Sequence, residues 1–170
     1  MTKSRYKELQ AMVANSILFP NRKYDYSKYA NCPYDALSTG ITTCVEEYKV
    51  YSDPQRPRTH NQYKNYQIDF NKCREVVKRA KNDKDGERLP LLLAYFTDYL
   101  FVWNLNDTGW EKTATWVYGN KEGVNYGEKE WDVQAYLEFD DAIYKKELDD
   151  CFWEDINRII REKYDDDGQR

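Results

Sequence analysis

Histidine, cysteine and long apolar runs are all scarce in this chain, and each shortage closes off a class of protein. The one histidine, His60, sits in a loop without a cluster of partners, so it reads as a solvated loop residue or phosphate contact rather than a base. The four cysteines, Cys32, Cys44, Cys73 and Cys151, are scattered with no C-x-x-C pair, which argues against a zinc site and a disulfide framework. They are expected to be reduced and mostly buried. No apolar stretch approaches the length of a membrane span, and the N-terminus lacks the apolar region of a signal peptide. The expectation is an intracellular, cytoplasmic protein with no membrane partner. Internal repeats and linkers are missing too, so residues 1–164 are expected to form one domain, with 165–170 a frayed acidic tail.

What is present is enough for a core. The chain has 170 residues, of which 41% are hydrophobic and 16% aromatic, despite a mean hydropathy of −0.98. Tyrosine leads with 16 copies, filling volume while keeping a polar tip. The net charge of −4 hides an asymmetry: residues 128–170 carry a local net of −8, and residues 1–127 a net of +4. A basic body with an acidic C-terminal segment suits a polyanion on one face, and equally suits a merely solubilising tail.

Periodicity predicts an α/β fold, a central mixed β-sheet flanked by helices. Thr2 or Ser4 can cap a helix to about Leu18, with Tyr6, Leu9, Val13 and Ile17 on its apolar stripe. Residues 20–34 read as a Tyr-rich loop, and 41–51 as a strand. A short strand over 66–70 leads to a helix bearing Phe70, Cys73, Val76, Val77 and Ala80 on one stripe. Residues 89–96 and 99–105 form a hairpin around Thr97-Asp98. A strand over 113–118 follows, then Trp131, Val133, Ala135, Leu137 and Phe139 alternate as in a half-exposed strand, which could serve as an edge for a homodimer. An amphipathic helix is expected over 142–164, and Trp103, Trp110, Trp116, Trp131 and Trp153 are expected in the core.

The chemistry concentrates in two short pieces, Tyr34-Asp35-Ala36-Leu37 and Val45-Glu46-Glu47-Tyr48-Lys49-Val50. On the second, side chains alternate: Thr43, Val45, Glu47, Lys49 and Tyr51 share one face, and Cys44, Glu46, Tyr48 and Val50 the other. At this composition about three acid-x-Lys pairs arise by chance, and the chain has one, so the pair matters only through its place. A charged pair on an apolar inner strand is expensive to desolvate unless it has a use or is a structural ion pair. With Asp35 just before the strand, two hard oxygen ligands and one cation meet the needs of a divalent-metal phosphodiesterase. Glu46, on the opposite face, needs solvent or a partner of its own.

Asp35, eleven intervening residues, then Glu47-Tyr48-Lys49 resembles the PD-(D/E)XK phosphodiesterase superfamily, which includes restriction endonucleases and Holliday-junction resolvases. The resemblance covers about residues 3–105, where helix, strands, helix and strand follow in the superfamily's order; Tyr34 separates Pro33 from Asp35, a departure from its pattern. The resemblance implies a restriction-endonuclease-like core with an added C-terminal strand and helix, and a nuclease using Mg²⁺ or Mn²⁺. In it Asp35 and Glu47 hold the metal, Glu8 on the first helix is a further candidate ligand, and Lys49 orients water and offsets phosphate charge. DNA is the expected partner. Arg56, Arg58 and Lys64 in the loop after the strand, and Lys72 near a helix N-terminus, are candidate phosphate contacts. Tyr24, Tyr26 and Tyr29 are candidate stacking residues, or core. Gln67 and Asp69 can line the site, Asp69 also as a helix cap. The competing expectation is a non-catalytic nucleic-acid- or protein-binding module on the same scaffold.

Overall fold

Both faces of the 43–50 strand carry apolar side chains, and the fold covers both. A computed structural model describes residues 1–28, 32, 34–52, 57–120 and 129–164. Helix α1 (Lys3–Leu18) is capped by Thr2, whose hydroxyl accepts the Arg5 N–H. Strands β1 (Lys23–Tyr26), β2 (Ala36–Thr39) and β3 (Thr43–Val50) form an antiparallel meander. Strand β4 (Tyr66–Asp69) leads into helix α2 (Phe70–Lys81), capped by Asp69, whose carboxylate accepts the Lys72 N–H at 2.8 Å. Strands β5 (Leu89–Tyr95) and β6 (Tyr99–Asn104) are the expected hairpin. Strands β7 (Thr115–Asn120), β8 (Lys129–Leu137) and β9 (Tyr144–Glu147) precede helix α3 (Asp150–Tyr164).

The central sheet has the order β1-β2-β3-β5-β6-β9, antiparallel except between β3 and β5. That parallel pair needs a long crossover, supplied by the segment that carries α2. On one face Val45, Leu92, Ala94 and Trp103 pack with Cys73, Val76 and Ala80 of α2, and with Tyr66, Ile68, Ala135 and Leu137 of a second sheet, β4-β8-β7. On the other, Cys44, Val50, Leu93 and Tyr95 pack with Leu9, Val13 and Ala14 of α1 and Trp153, Ile156 and Ile160 of α3. This is the mixed, helix-flanked α/β sheet the periodicity predicts. Among the described residues no helix is long and apolar enough to cross a membrane.

Four local expectations are corrected. Part of the 20–34 segment is strand β1, whose Tyr24 and Tyr26 rings stack 5.4 Å apart; Tyr29 lies outside the described residues. Strand β4 leaves the central sheet and pairs with β8. The last helix begins at Asp150, because Asp149 accepts the Phe152 N–H (2.8 Å) as its cap, while β9 closes the edge of β6. Trp116 and Trp131 are exposed, since β7 and β8 extend past the body that covers Ala135 and Leu137. Strand β8 is the middle strand of its sheet, with β4 pairing along its 134–137 part and β7 along its 129–134 part.

Candidate metal and nucleic-acid site

Strand parity puts Glu47 and Lys49 side by side on the α2-facing side of β3. Glu47 is 2% exposed. Its Oε1 lies 3.1 Å from Lys49 Nζ, and its Oε2 lies 3.3 Å from Lys72 Nζ, which reaches in from the first turn of α2. The Lys72 contact is an ion pair without hydrogen-bond geometry, so Oε2 is a buried carboxylate oxygen with no hydrogen-bond partner among the described residues. Burial is the largest influence on this carboxyl and the nearby Asp35 charge the second. Together they outweigh the two ammonium groups and push it up to about 7. Burial alone would lower the Lys49 ammonium, but Glu47 and Asp35 leave it raised and charged.

Asp35 is set by the end of β2. The last paired position is Ala36 opposite Glu46, so beyond it the N–H of Tyr48 has no strand to meet. The Asp35 carboxylate takes that role, with Oδ2 accepting the Tyr48 N–H at 2.6 Å. Its backbone is also held: Asp35 N–H donates to Glu46 O (2.9 Å) and Asp35 O accepts from Ser27 N–H (2.8 Å). In a strand, N–H and C=O of one residue leave on the same side, so the Tyr48 carbonyl also faces the space beyond β2.

Glu46 turns to the other face. It accepts hydrogen bonds from the Ser38 hydroxyl and from Tyr48 OH (2.6 Å), with Arg22 Nε 3.8 Å away. Burial raises its carboxyl too, against those three partners.

The remaining candidates separate. Glu8 is not brought to Glu47: it is exposed, pairs with Arg5 at 2.9 Å, and lies on the helix that covers the opposite face of the sheet. Lys72 meets Glu47 directly, as an anion partner inside the site. Arg58 sits over the Tyr51 ring (5.6 Å to its centroid), and exposed Lys64 follows on the same loop; Arg56 lies outside the described residues. His60 is half-buried rather than a solvated loop residue. Its Nδ1 is 2.7 Å from Asp98 Oδ2, its N–H donates to Asp98 Oδ1, and the Tyr99 and Phe101 rings pack against it. It pins the loop to the β5–β6 turn.

Sequence reasoning missed a cleft of about 460 Å³ beside this site, lined by Tyr51, Tyr63, Tyr66 and Phe96 with amide and basic side chains between them. It opens one side chain further along the same face of β3 than Lys49. Neither this cleft nor a second one of about 430 Å³ near Asp83 and Arg88 includes Asp35, Glu47 or Lys49. The signal was in the letters, with Tyr51 in phase with Lys49, but the lining comes from several separate segments.

Carboxylate oxygens are hard donors of the kind a divalent cation takes, and the unpartnered Glu47 Oε2 is the atom such an ion would satisfy. Among the described residues no group of three or more His, Cys, Asp or Glu converges, so protein carboxylates would supply only part of the shell. No family model matches the chain, and neither a curated protein nor a solved structure is detectably similar to it.

Proposed function

We propose that this protein is a divalent-metal-dependent nuclease that hydrolyses phosphodiester bonds in DNA, with Asp35, Glu47 and Lys49 at the reacting phosphate. The observation that carries the reading is the Glu47–Lys49 pair lying within the field of the Asp35 charge, with one buried Glu47 oxygen lacking a hydrogen bond. With β4, which joins the other sheet, set aside, the order α1, β1, β2, β3, α2, β5 supports it, since helix, three strands, helix and strand is the core implied by the PD-(D/E)XK resemblance. Its third strand is β3, not β4.

Bound Mg²⁺ would supply an acidified water and neutralise phosphate charge. Asp35 and Glu47 would hold that ion. Asp35 is oriented for the task by the Tyr48 N–H, which fixes one oxygen and the direction of the other. Lys49, 38% exposed at its side chain, keeps its ammonium charged beside Glu47 and faces the phosphate with it. Lys72 offsets the second Glu47 oxygen and, once that oxygen binds elsewhere, adds a second cation at the phosphate.

A second reading rests on those same lysines. Two ammonium groups already flank Glu47, which is enough to make the cluster a closed ion triad on a non-catalytic nucleic-acid-binding module. Supercoiled plasmid, linear duplex and single-stranded oligonucleotides incubated with the purified protein in Mg²⁺, Mn²⁺ or EDTA separate the two. The nuclease reading predicts cutting of at least one DNA form in metal only, lost in Glu47→Ala and Lys49→Ala while circular dichroism is unchanged. Binding without cutting in every metal condition would establish the module.

A further inference from the structure

The cleft next to Lys49 has the chemistry of a base-binding subsite. Its walls combine ring faces, from Tyr51, Tyr63 and Phe96, with the amides of Gln62, Gln67 and Gln134, and two cations at Arg58 and Lys64. Carboxylates are missing from its lining. Each amide offers both a donor and an acceptor, so it can meet either kind of polar edge on a planar heterocycle. The rings offer stacking area, and the cations suit an attached phosphate.

The cleft is built rather than improvised. His60 is bound twice by Asp98, and Arg58 O accepts from both the N–H (3.0 Å) and hydroxyl (2.6 Å) of Thr97. These bonds tie the loop to the β5–β6 turn and set Arg58 over Tyr51. The Tyr51 and Tyr66 hydroxyls share a hydrogen bond of 2.9 Å at the floor. Tyr63 stands at the mouth, 40% exposed, its ring 6.0 Å from that of Phe96. An exposed tyrosine at the mouth of a cleft lined by amides and cations offers a stacking surface.

We propose that this cleft receives one unpaired nucleobase of a single-stranded DNA segment, stacked on Tyr63 and met at its edge by Gln62, Gln67 and Gln134, with its phosphate toward Lys49. The inference rests on the nuclease reading for the direction of the phosphate. Tyr51 follows Lys49 by two residues on one face, a rise of about 7 Å, so base and reacting phosphate belong to the same or adjacent nucleotides. A base inside a duplex presents neither face, and a volume of about 460 Å³ suits one small ring system and its sugar rather than a base pair. Paired DNA is therefore excluded from the cleft unless a base leaves the stack.

The test is fluorescence anisotropy in EDTA, which keeps binding apart from cutting, with a labelled 12-nucleotide oligo(dT) and a blunt duplex of equal length. Wild type is expected to bind the single strand more tightly, Tyr63→Ala to lose about tenfold on the single strand alone, and Tyr63→Phe to recover it. Gln134→Ala should weaken the single strand severalfold. Equal affinity of wild type and Tyr63→Ala for oligo(dT), or equal losses on duplex and single strand, would overturn the subsite. Binding with these mutant effects but without metal-dependent cutting supports the subsite while refuting the proposed activity, so the two failures are distinguishable.

Discussion

Glu46 and Glu47 are neighbours in the chain, equally buried at 2% exposure, and both carboxyls are raised above their ordinary value. Strand parity sends them to opposite faces of one sheet, where their environments differ in kind. Glu46 is closed by two hydroxyl donors and a distant guanidinium, and packs under α1 and α3. Glu47 meets two partly exposed lysines and Asp35's field, and keeps one oxygen without a hydrogen bond. Burial alone therefore does not mark a functional carboxylate. On the proposed reading, what marks Glu47 is burial with incomplete satisfaction, beside partly exposed cations and a second acid.

The comparison breaks most visibly in catalysis. Glu47→Gln keeps the shape but removes the charge, and is expected to lower DNA cutting about a thousandfold or more. Glu46→Gln keeps an acceptor for Ser38 and Tyr48 and should stay within severalfold of wild type. Equal losses in initial cleavage rate would erase the distinction between the two faces.

Stability against pH sharpens it next. Between the ordinary 4.5 and about 7, the folded chain holds a proton on Glu47 that the unfolded chain has released. The contribution is therefore present in acid and lost as pH rises through about 7, on the order of 3 kcal/mol for this group. Urea unfolding of metal-free protein should show wild type losing more stability than Glu47→Gln between pH 5 and pH 8. Parallel curves for the two proteins would mean that Glu47 is already ionised in acid.

The smallest effect belongs to the Glu46 side. Ser38→Ala removes one hydroxyl donor from a buried carboxyl and should cost about 1–2 kcal/mol in urea unfolding, with cleavage unchanged. A loss of cutting in that variant would connect the two faces through β3.

Much of this was legible in the letters, for reasons that also explain the failures. The period-2 pattern of β3 assigned Glu47 and Lys49 to one face and Glu46 to the other, because alternation is a backbone property. The α2 stripe and its Asp69 cap were readable for the same reason. Partner choice was not: β4 carries a strand pattern, but nothing local says that it joins β8 instead of the central sheet. Lys23–Tyr26 is four residues on a sheet edge, with no buried alternation to betray it. Trp131, Val133, Ala135 and Leu137 alternate without a break, yet only the last two are fully covered, because cover depends on how far the body reaches. In the site, Asp35 stood out from its place before the 41–51 strand, while β2, the short strand that follows it, was not foreseen. Glu8 was misassigned because a helical position does not say which face of a sheet the helix packs on. The cleft could not be foreseen, since its walls are assembled by tertiary contacts.

The central claim is that Asp35 and Glu47 hold a divalent cation. Titration calorimetry with Mn²⁺ at pH 8, where the Glu47 proton no longer competes, tests it without substrate. Wild type and Glu46→Gln are expected to bind, with submillimolar to millimolar affinity, while Asp35→Asn and Glu47→Gln show no heat above dilution. Wild type without Mn²⁺ binding at millimolar metal, or Glu47→Gln binding as tightly as wild type, would contradict it.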